Sequence, residues 1–173
     1  ALPVSRSNRA DVVYFYDHAV TLLDQGDATK ATARNTLGML AYVWDLSGEE
    51  HFSYDGRGRL EYTVKRIPDP VVYPTLQGTN APMDPQLVSY HTGYEYDSFD
   101  RLTRLIYPDN DEVRYQYNQR GLLQKIPGGP NGTILSNLFY YPSSQQARID
   151  YGHGVNTSYP YDIRLRLIRL FTL

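Results

Sequence analysis

The chain has 173 residues, 17 basic and 19 acidic, and its net charge of −2 is spread without large blocks, so no nucleic-acid surface is indicated. It contains no Cys, which excludes disulfides and thiolate metal sites and leaves the redox compartment open, and no run of about 18 apolar residues that would span a membrane as a helix. The length suffices for one domain with a real core, and the compositional anomaly is 17 Tyr against 5 Phe and 1 Trp. Tyr suits a sheet wet on one side, because the ring packs on a cross-strand neighbour while the hydroxyl reaches a polar partner or water.

In chain order, residues 1–10 are polar and carry one Pro, and Val12 to Tyr16 then reads as a strand. Residues 27–36 are Ala-rich and flanked by Gly26 and Gly38, which predicts a short helix with Asp27 as N-cap, weakened by three Thr. Strands follow over 40–45, 50–55 and 59–67, joined by turns at Leu46-Ser47-Gly48 and Gly56-Arg57-Gly58. From 68 to 89 the rhythm stops, since five Pro forbid a central strand and Gly78-Thr79-Asn80 marks a loop. This is expected to be an elaborated connection within a single region covering 1–173.

The stretch 94–128 reads strand, turn, strand, turn, strand. Tyr94 and Tyr96 share one face of an extended segment, as do Val113, Tyr115 and Tyr117, because strand side chains repeat with period two. After each aromatic pair comes Asp or Asn, two variable residues, and a residue able to take positive φ: Asp97 to Asp100, then Asn118 to Gly121. Further strands are predicted over 123–126, 134–141, 146–151 and 155–161, the last two as a hairpin around Gly152-His153-Gly154. The tail alternates Ile163, Leu165 and Leu167 against Arg164 and Arg166, then slips phase at Ile168, where a bulge or strand end is expected.

The aromatic signature recurs at 14–17, 42–45, 52–55, 94–97, 115–118, 139–142 and 159–162. Asp97 lies 21 residues before Asn118, Asn118 lies 24 before Pro142, and Pro142 lies 20 before Asp162. A unit of that length is a hairpin's worth of chain and must lean on its neighbours to bury an apolar face. The expected fold is therefore all-β, a curled antiparallel strip of successive hairpins with at most one short helix.

The element Tyr54-Asp55-Gly56-Arg57-Gly58-Arg59-Leu60 resembles the YD repeat of the Rhs family, in particular the repeat regions of the B and C subunits of bacterial insecticidal Tc toxin complexes. The resemblance spans roughly residues 34–170, with Tyr94, Tyr96, Asp97, Tyr115, Tyr117, Asn118, Gly121, Tyr159, Tyr161 and Asp162 at repeat positions. Asp100 stands where the pattern has Gly, Pro142 where it has Asp, and Asp162-Ile163-Arg164-Leu165 lacks the turn Gly. In that family such strips wind into a hollow shell around a toxic C-terminal polypeptide. The resemblance thus implies a non-catalytic shell segment of a longer secreted or cell-surface protein. Its partners would be other shell segments and the enclosed polypeptide. The self-cleaving protease element of Rhs relatives, rich in Asp-Pro and Gly-Leu, has no counterpart here.

Chemistry-bearing patterns are sparse. Asp109-Asn110-Asp111-Glu112 lacks the ligand spacing of a calcium loop, and His18, His51, His91 and His153 lack metal spacing. Gly56-Arg57-Gly58 has no phosphate-loop Gly-Lys after it, and no Gly-x-Ser-x-Gly occurs. No cofactor is expected. Two other classes remain open: a carbohydrate-binding or adhesion module stacking glycan rings on Tyr and Trp44, and, more remotely, a hydrolase built from turn carboxylates. Raw sheet ends would also favour self-association through strand edges.

Overall fold

The computed structural model describes residues 12–19, 33–45, 47–68, 87–129 and 132–173. These residues are all-β, with thirteen strands, antiparallel pairing and no helix. The predicted helix over 27–36 lies mostly outside the described residues, and its last four residues, 33–36, are irregular. Among the described residues no helix is long and apolar enough to cross a membrane. The chain divides into two compact units, Ala1–Gly93 and Tyr94–Leu173.

The first unit is a meander. Strands β1 (Val12–Tyr16), β2 (Leu40–Asp45), β3 (Gly48–Tyr54), β4 (Leu60–Pro68) and the first part of β5 (Leu87–Tyr96) pair in chain order. A single cross-strand row, Phe15, Tyr42, His51, Val64 and His91, runs through all five. Phe15 stacks on Tyr42 at 4.1 Å between ring centroids, and Tyr42 stacks on His51 at 5.1 Å. Such stacked pairs add to the apolar burial of the rings themselves. Val64 and Tyr62 of β4 form the buried apolar centre. β3 alternates as a half-buried strand should, yet its inward residues are Glu49, His51 and Ser53 rather than Phe52.

Two boundaries differ from the sequence reading. The irregular segment expected over 68–89 is strand at both ends, with Pro68 closing β4 and paired to Leu87; Pro is tolerated there because it ends its strand. Residues 69–86 lie outside the described set. The strand expected from residue 50 begins at Gly48, because Asp45 Oδ1 accepts from the amides of Ser47 and Gly48, at 2.7 and 3.1 Å, and reverses the chain early. A Cβ on Gly48 would lie 2.0 Å from the Arg66 carbonyl oxygen, so only glycine allows β3 and β4 to pair this closely.

The second unit begins in the last three residues of β5. It continues through β6 (Leu102–Ile106), β7 (Glu112–Arg114), β8 (Gln116–Tyr117), β9 (Leu123–Lys125), β10 (Leu135–Tyr140), β11 (Gln146–Tyr151), β12 (Asn156–Ser158) and β13 (Phe171–Thr172). Here the strip is interrupted. β6 pairs with β7 and β8 with β9, while β10 to β13 form a separate four-stranded ladder. The run Val113, Tyr115, Tyr117 is not one strand: Tyr115 still donates its amide to the β6 carbonyl of Thr103 at 2.9 Å, and after it the chain changes partner, Gln116 and Tyr117 pairing with β9. The alternating tail is not a strand either. Asp162 captures the amides of Arg164 and Arg166, both at 2.9 Å, and this local capture turns the chain where alternation alone would extend it.

Candidate functional site

The recurring structural unit is a hairpin turn built by five residues. In the first complete copy, the Asp55 amide donates to the Arg59 carbonyl at 2.8 Å, and the Gly58 amide donates back to the Asp55 carbonyl at 3.0 Å. Asp55 Oδ1 accepts from the amides of Arg57 and Arg59 at 2.8 and 3.0 Å, and Oδ2 from Arg59 Nε at 2.7 Å. Gly58 takes φ 77°, a conformation that a Cβ would oppose. One carboxylate thus satisfies the amides a tight turn leaves without strand partners, and pins the arginine that starts the returning strand.

The copy at Asp97 repeats this bond for bond, with Phe99 and Arg101 as donors and Asp100 at φ 63°. The copy at Asp162 does so with Arg164, Arg166 and Leu165 at φ 61°. At Asn118 the side-chain oxygen accepts from Arg120 and Leu122, and Gly121 takes φ 77°. No arginine follows at the fourth position. Instead Arg120 reaches out to the carbonyls of Tyr141 and Pro142 and to Ser144 Oγ, the last at 2.6 Å. Side-chain hydrogen bonds from Arg59 and Arg101 hold the Asp55 and Asp97 carboxyls below the usual carboxylate range, and the Arg166 amide does the same for Asp162. These groups are held ionised and engaged in their own loops, the opposite of what a general acid needs.

Pro142 is not the equivalent of these Asp residues. The turn is organised by Tyr141, whose amide donates to Gln145 O at 2.9 Å and whose carbonyl accepts from Ser144, with Ser144 at φ 70°. The backbone pattern therefore survives without any carboxylate. Its spacing is 23 residues from Asn118 and 21 to Asp162.

A second element, absent from the sequence reading, ties hairpins together. The tyrosine immediately before a turn residue donates its hydroxyl to the carbonyl of the leucine that opens the returning strand of the preceding hairpin. Tyr54 donates to Leu40 at 2.9 Å, Tyr117 to Leu102 at 2.7 Å and Tyr140 to Leu123 at 2.7 Å. The Arg101 guanidinium lies 4.5 Å from the centroid of the Tyr117 ring, so the ring is gripped at face and hydroxyl alike. The recurring leucine after each turn was the available signal. Of the remaining repeat tyrosines, Tyr94 and Tyr96 are half-buried in β5, Tyr115 lies between strands, Tyr159 donates its amide to Ala147 O, and Tyr161 meets Tyr141 edge-on at 5.7 Å.

Two expected results follow from this geometry. Tyr117→Phe should lower stability by about 1 kcal/mol, the usual net worth of one hydrogen bond, measured by denaturant unfolding. Leu165→Gly should raise it by about 1 kcal/mol by relieving a left-handed non-glycine residue, and an unchanged or lowered midpoint would show that the Leu165 conformation carries no strain.

The first unit also holds a buried charged cluster. Glu49 is 4% exposed and His51 1%; Glu49 Oε1 accepts from Arg66 Nη1 at 2.5 Å and lies 3.4 Å from His51 Nε2. Burial pushes the Glu49 carboxyl upward, but hydrogen bonding and charge from His51 and Arg66 outweigh it and hold the group below its ordinary value. Of the four histidines, His51 thus lies buried beside the Glu49–Arg66 ion pair, an arrangement which the sequence reading missed. Charged residues at alternate positions of a strand were the signal. Among the described residues no group of three or more side chains is arranged to hold a metal ion.

Fold and turn together define a hairpin-repeat strip. No family model matches the sequence, and no curated protein does. Solved structures do match. A crystal structure of TcdB2-TccC3 superposes with a TM-score of 0.68 and 20% identity over 98% of this chain and 8% of that chain. The Photorhabdus luminescens Tc holotoxin pore gives 0.63 and 22% over 80% of this chain and 7% of that one. The crystal structure of TcdB2-TccC3-Cdc42 gives 0.62 and 16% over 93% and 9%. The chain therefore has the fold of a segment of these Tc toxin chains, and spans less than a tenth of their length.

Proposed function

We propose that this chain is a wall segment of a Tc-type toxin shell that encloses a toxic C-terminal polypeptide, with no catalytic role of its own. The observation that carries this reading is the tyrosine-to-leucine latch between successive hairpins, added to the fold shared with Tc toxin chains. A hairpin of about twenty residues cannot hold a core alone. Latched to its neighbours, it becomes part of a strip in which tyrosine hydroxyls bridge the breaks between successive ladders, leaving few edges for an enclosed chain to add to. The partners in this reading are the other segments of the shell and the enclosed polypeptide, and the setting is secreted or cell-surface. The repeat positions Tyr54, Asp55, Gly58, Arg59, Leu60, Tyr94, Tyr96, Asp97, Tyr115, Tyr117, Asn118, Gly121, Tyr159, Tyr161 and Asp162 serve it as turn and contact residues.

Limited proteolysis of the native polypeptide that contains this chain tests the reading. The C-terminal portion should resist protease in the wild type and become cleavable when Asp97→Ala and Tyr117→Phe loosen the strip together. Equal cleavage in both would sink the wall function.

A further inference from the structure

The tyrosine latch is a bond that only a neutral phenol can make. In the second unit the hydroxyl donates and a backbone carbonyl accepts, at 2.7 Å both for Tyr117 to Leu102 and for Tyr140 to Leu123, and a carbonyl has no proton to give back. Loss of the phenolic proton therefore does more than delete the bond. It sets an anion against the negative end of a carbonyl dipole in a part-buried place. Both latches stand where the strand ladder is broken. Tyr117 ties β8 to β6 just after the chain has changed partner, and Tyr140 ties β10 to β9 beside the isolated bridge of Ile126 with Leu135. The latch from Tyr54 to Leu40 differs, because β2 and β3 already pair with each other there.

We propose that Tyr117 and Tyr140 are proton-operated clasps, which fasten the separate ladders of the second unit while protonated and release them in alkali. The charged and titratable groups on the elements around Tyr117 are Asp97 and Arg101 of the preceding turn, Arg114 and Tyr115 before it in the chain, and Lys125 in β9. Burial pushes the Tyr117 phenol above its ordinary value; the Arg101 guanidinium works against this and the Asp97 carboxylate with it, and burial prevails. Around Tyr140 the corresponding groups are Arg120 in the turn before β9, Lys125 in β9, Tyr141 beside it and Arg148 in β11. Burial alone pushes the Tyr140 phenol up. The turns behave differently in alkali, since Asp97 and Asp162 are already ionised and the arginines they hold keep their charge to beyond about pH 12. This inference rests on the wall reading only for its consequence, a wall that opens in alkali. A failed clasp would leave the wall function at neutral pH untouched, and a failed protease experiment would leave the clasp.

The experiment is denaturant unfolding of the 173-residue chain across a series from neutral to strongly alkaline pH, on the wild type, Tyr117→Phe, Tyr140→Phe and the double variant. Circular dichroism verifies folding at the neutral end, and if the double variant does not fold there the result is read from the single ones. Phenylalanine keeps the ring but can neither latch nor ionise. At the neutral end each single variant should have a folding constant roughly fivefold below the wild type, as loss of one net hydrogen bond implies. The folded phenols titrate above the unfolded ones, which ionise near about 10, so the contribution of each latch is complete below that value and is lost as pH rises through the folded one. The gap should therefore close and then change sign, with the phenylalanine variants outlasting the wild type in alkali. Tyr14→Phe, at a tyrosine 59% exposed, is the control and should run parallel to the wild type throughout. Variants that stay below the wild type by a constant factor, variants that match it at every pH, or a control that reverses in the same way would each overturn the proposal.

Discussion

Gly152→Ala should lower the unfolding midpoint of the second unit more than any single surface change. A Cβ at this position would lie 1.6 Å from the Thr133 carbonyl oxygen and 2.6 Å from its carbon. Both are backbone atoms, which cannot swing aside as a flexible side chain does. The same residue donates its amide to Ile134 O at 3.2 Å, next to the pairing of Leu135 with Tyr151 that opens the β10–β11 ladder. Relief of the overlap therefore has to pull apart the strand end it sits on. The expected loss is about 3 kcal/mol or more, a midpoint shift of roughly 6–12 °C in a chain of this size. Gly128→Ala is the control, since a Cβ there meets nothing within 4 Å. If the two variants melt together, the close approach at Gly152 is not a constraint on the fold.

Glu49→Gln should be comparably damaging in the first unit. The substitution keeps shape and removes charge, leaving the Arg66 guanidinium and His51 facing a neutral amide inside β3 and β4. Breaking a buried pair from one side costs about 3–5 kcal/mol because the remaining charge loses its partner; Arg66 retains partial solvent access, which places the expectation at about 3 kcal/mol, the lower end of that range. The pH dependence has a definite sign. The Glu49 carboxyl titrates below its ordinary value of 4.5 in the folded chain, so its contribution is complete above that value and is lost as pH falls through the folded one. Asp45, Asp55, Asp97 and Asp162 are also lowered, and they steepen the acid limb of wild type and variant alike. The difference between wild type and Glu49→Gln in denaturant midpoint, measured from pH 7 to pH 3, should therefore shrink as the solution becomes acid. A gap that stays constant would mean that Glu49 is not held ionised by its neighbours.

What was legible in the sequence is what is local. Asp55, Asp97, Asn118 and Asp162 bond to amides two and four residues away, so the turn they make follows from their own short segments and can be read without knowing where any other strand lies. The strands that such turns bound were legible for the same reason, apart from their ends. Leu165, in place of the turn glycine, shows how strong the local capture by Asp162 is, since it holds a leucine in a conformation leucine disfavours.

The tertiary structure decided everything that depends on register. The Tyr117 hydroxyl meets a carbonyl 15 residues earlier, and Arg66 meets a carboxylate 17 residues earlier; neither distance follows from a periodic pattern, because a one-residue slip in strand pairing would turn every side chain to the other face. The run through Tyr115 reads as one strand by alternation and breaks because the chain leaves β6 after the Tyr115 bond to Thr103 and pairs Gln116 and Tyr117 with β9 instead. Turns are fixed by partners within a few residues, whereas latches and buried ion pairs exist only once two distant strands have chosen the same register.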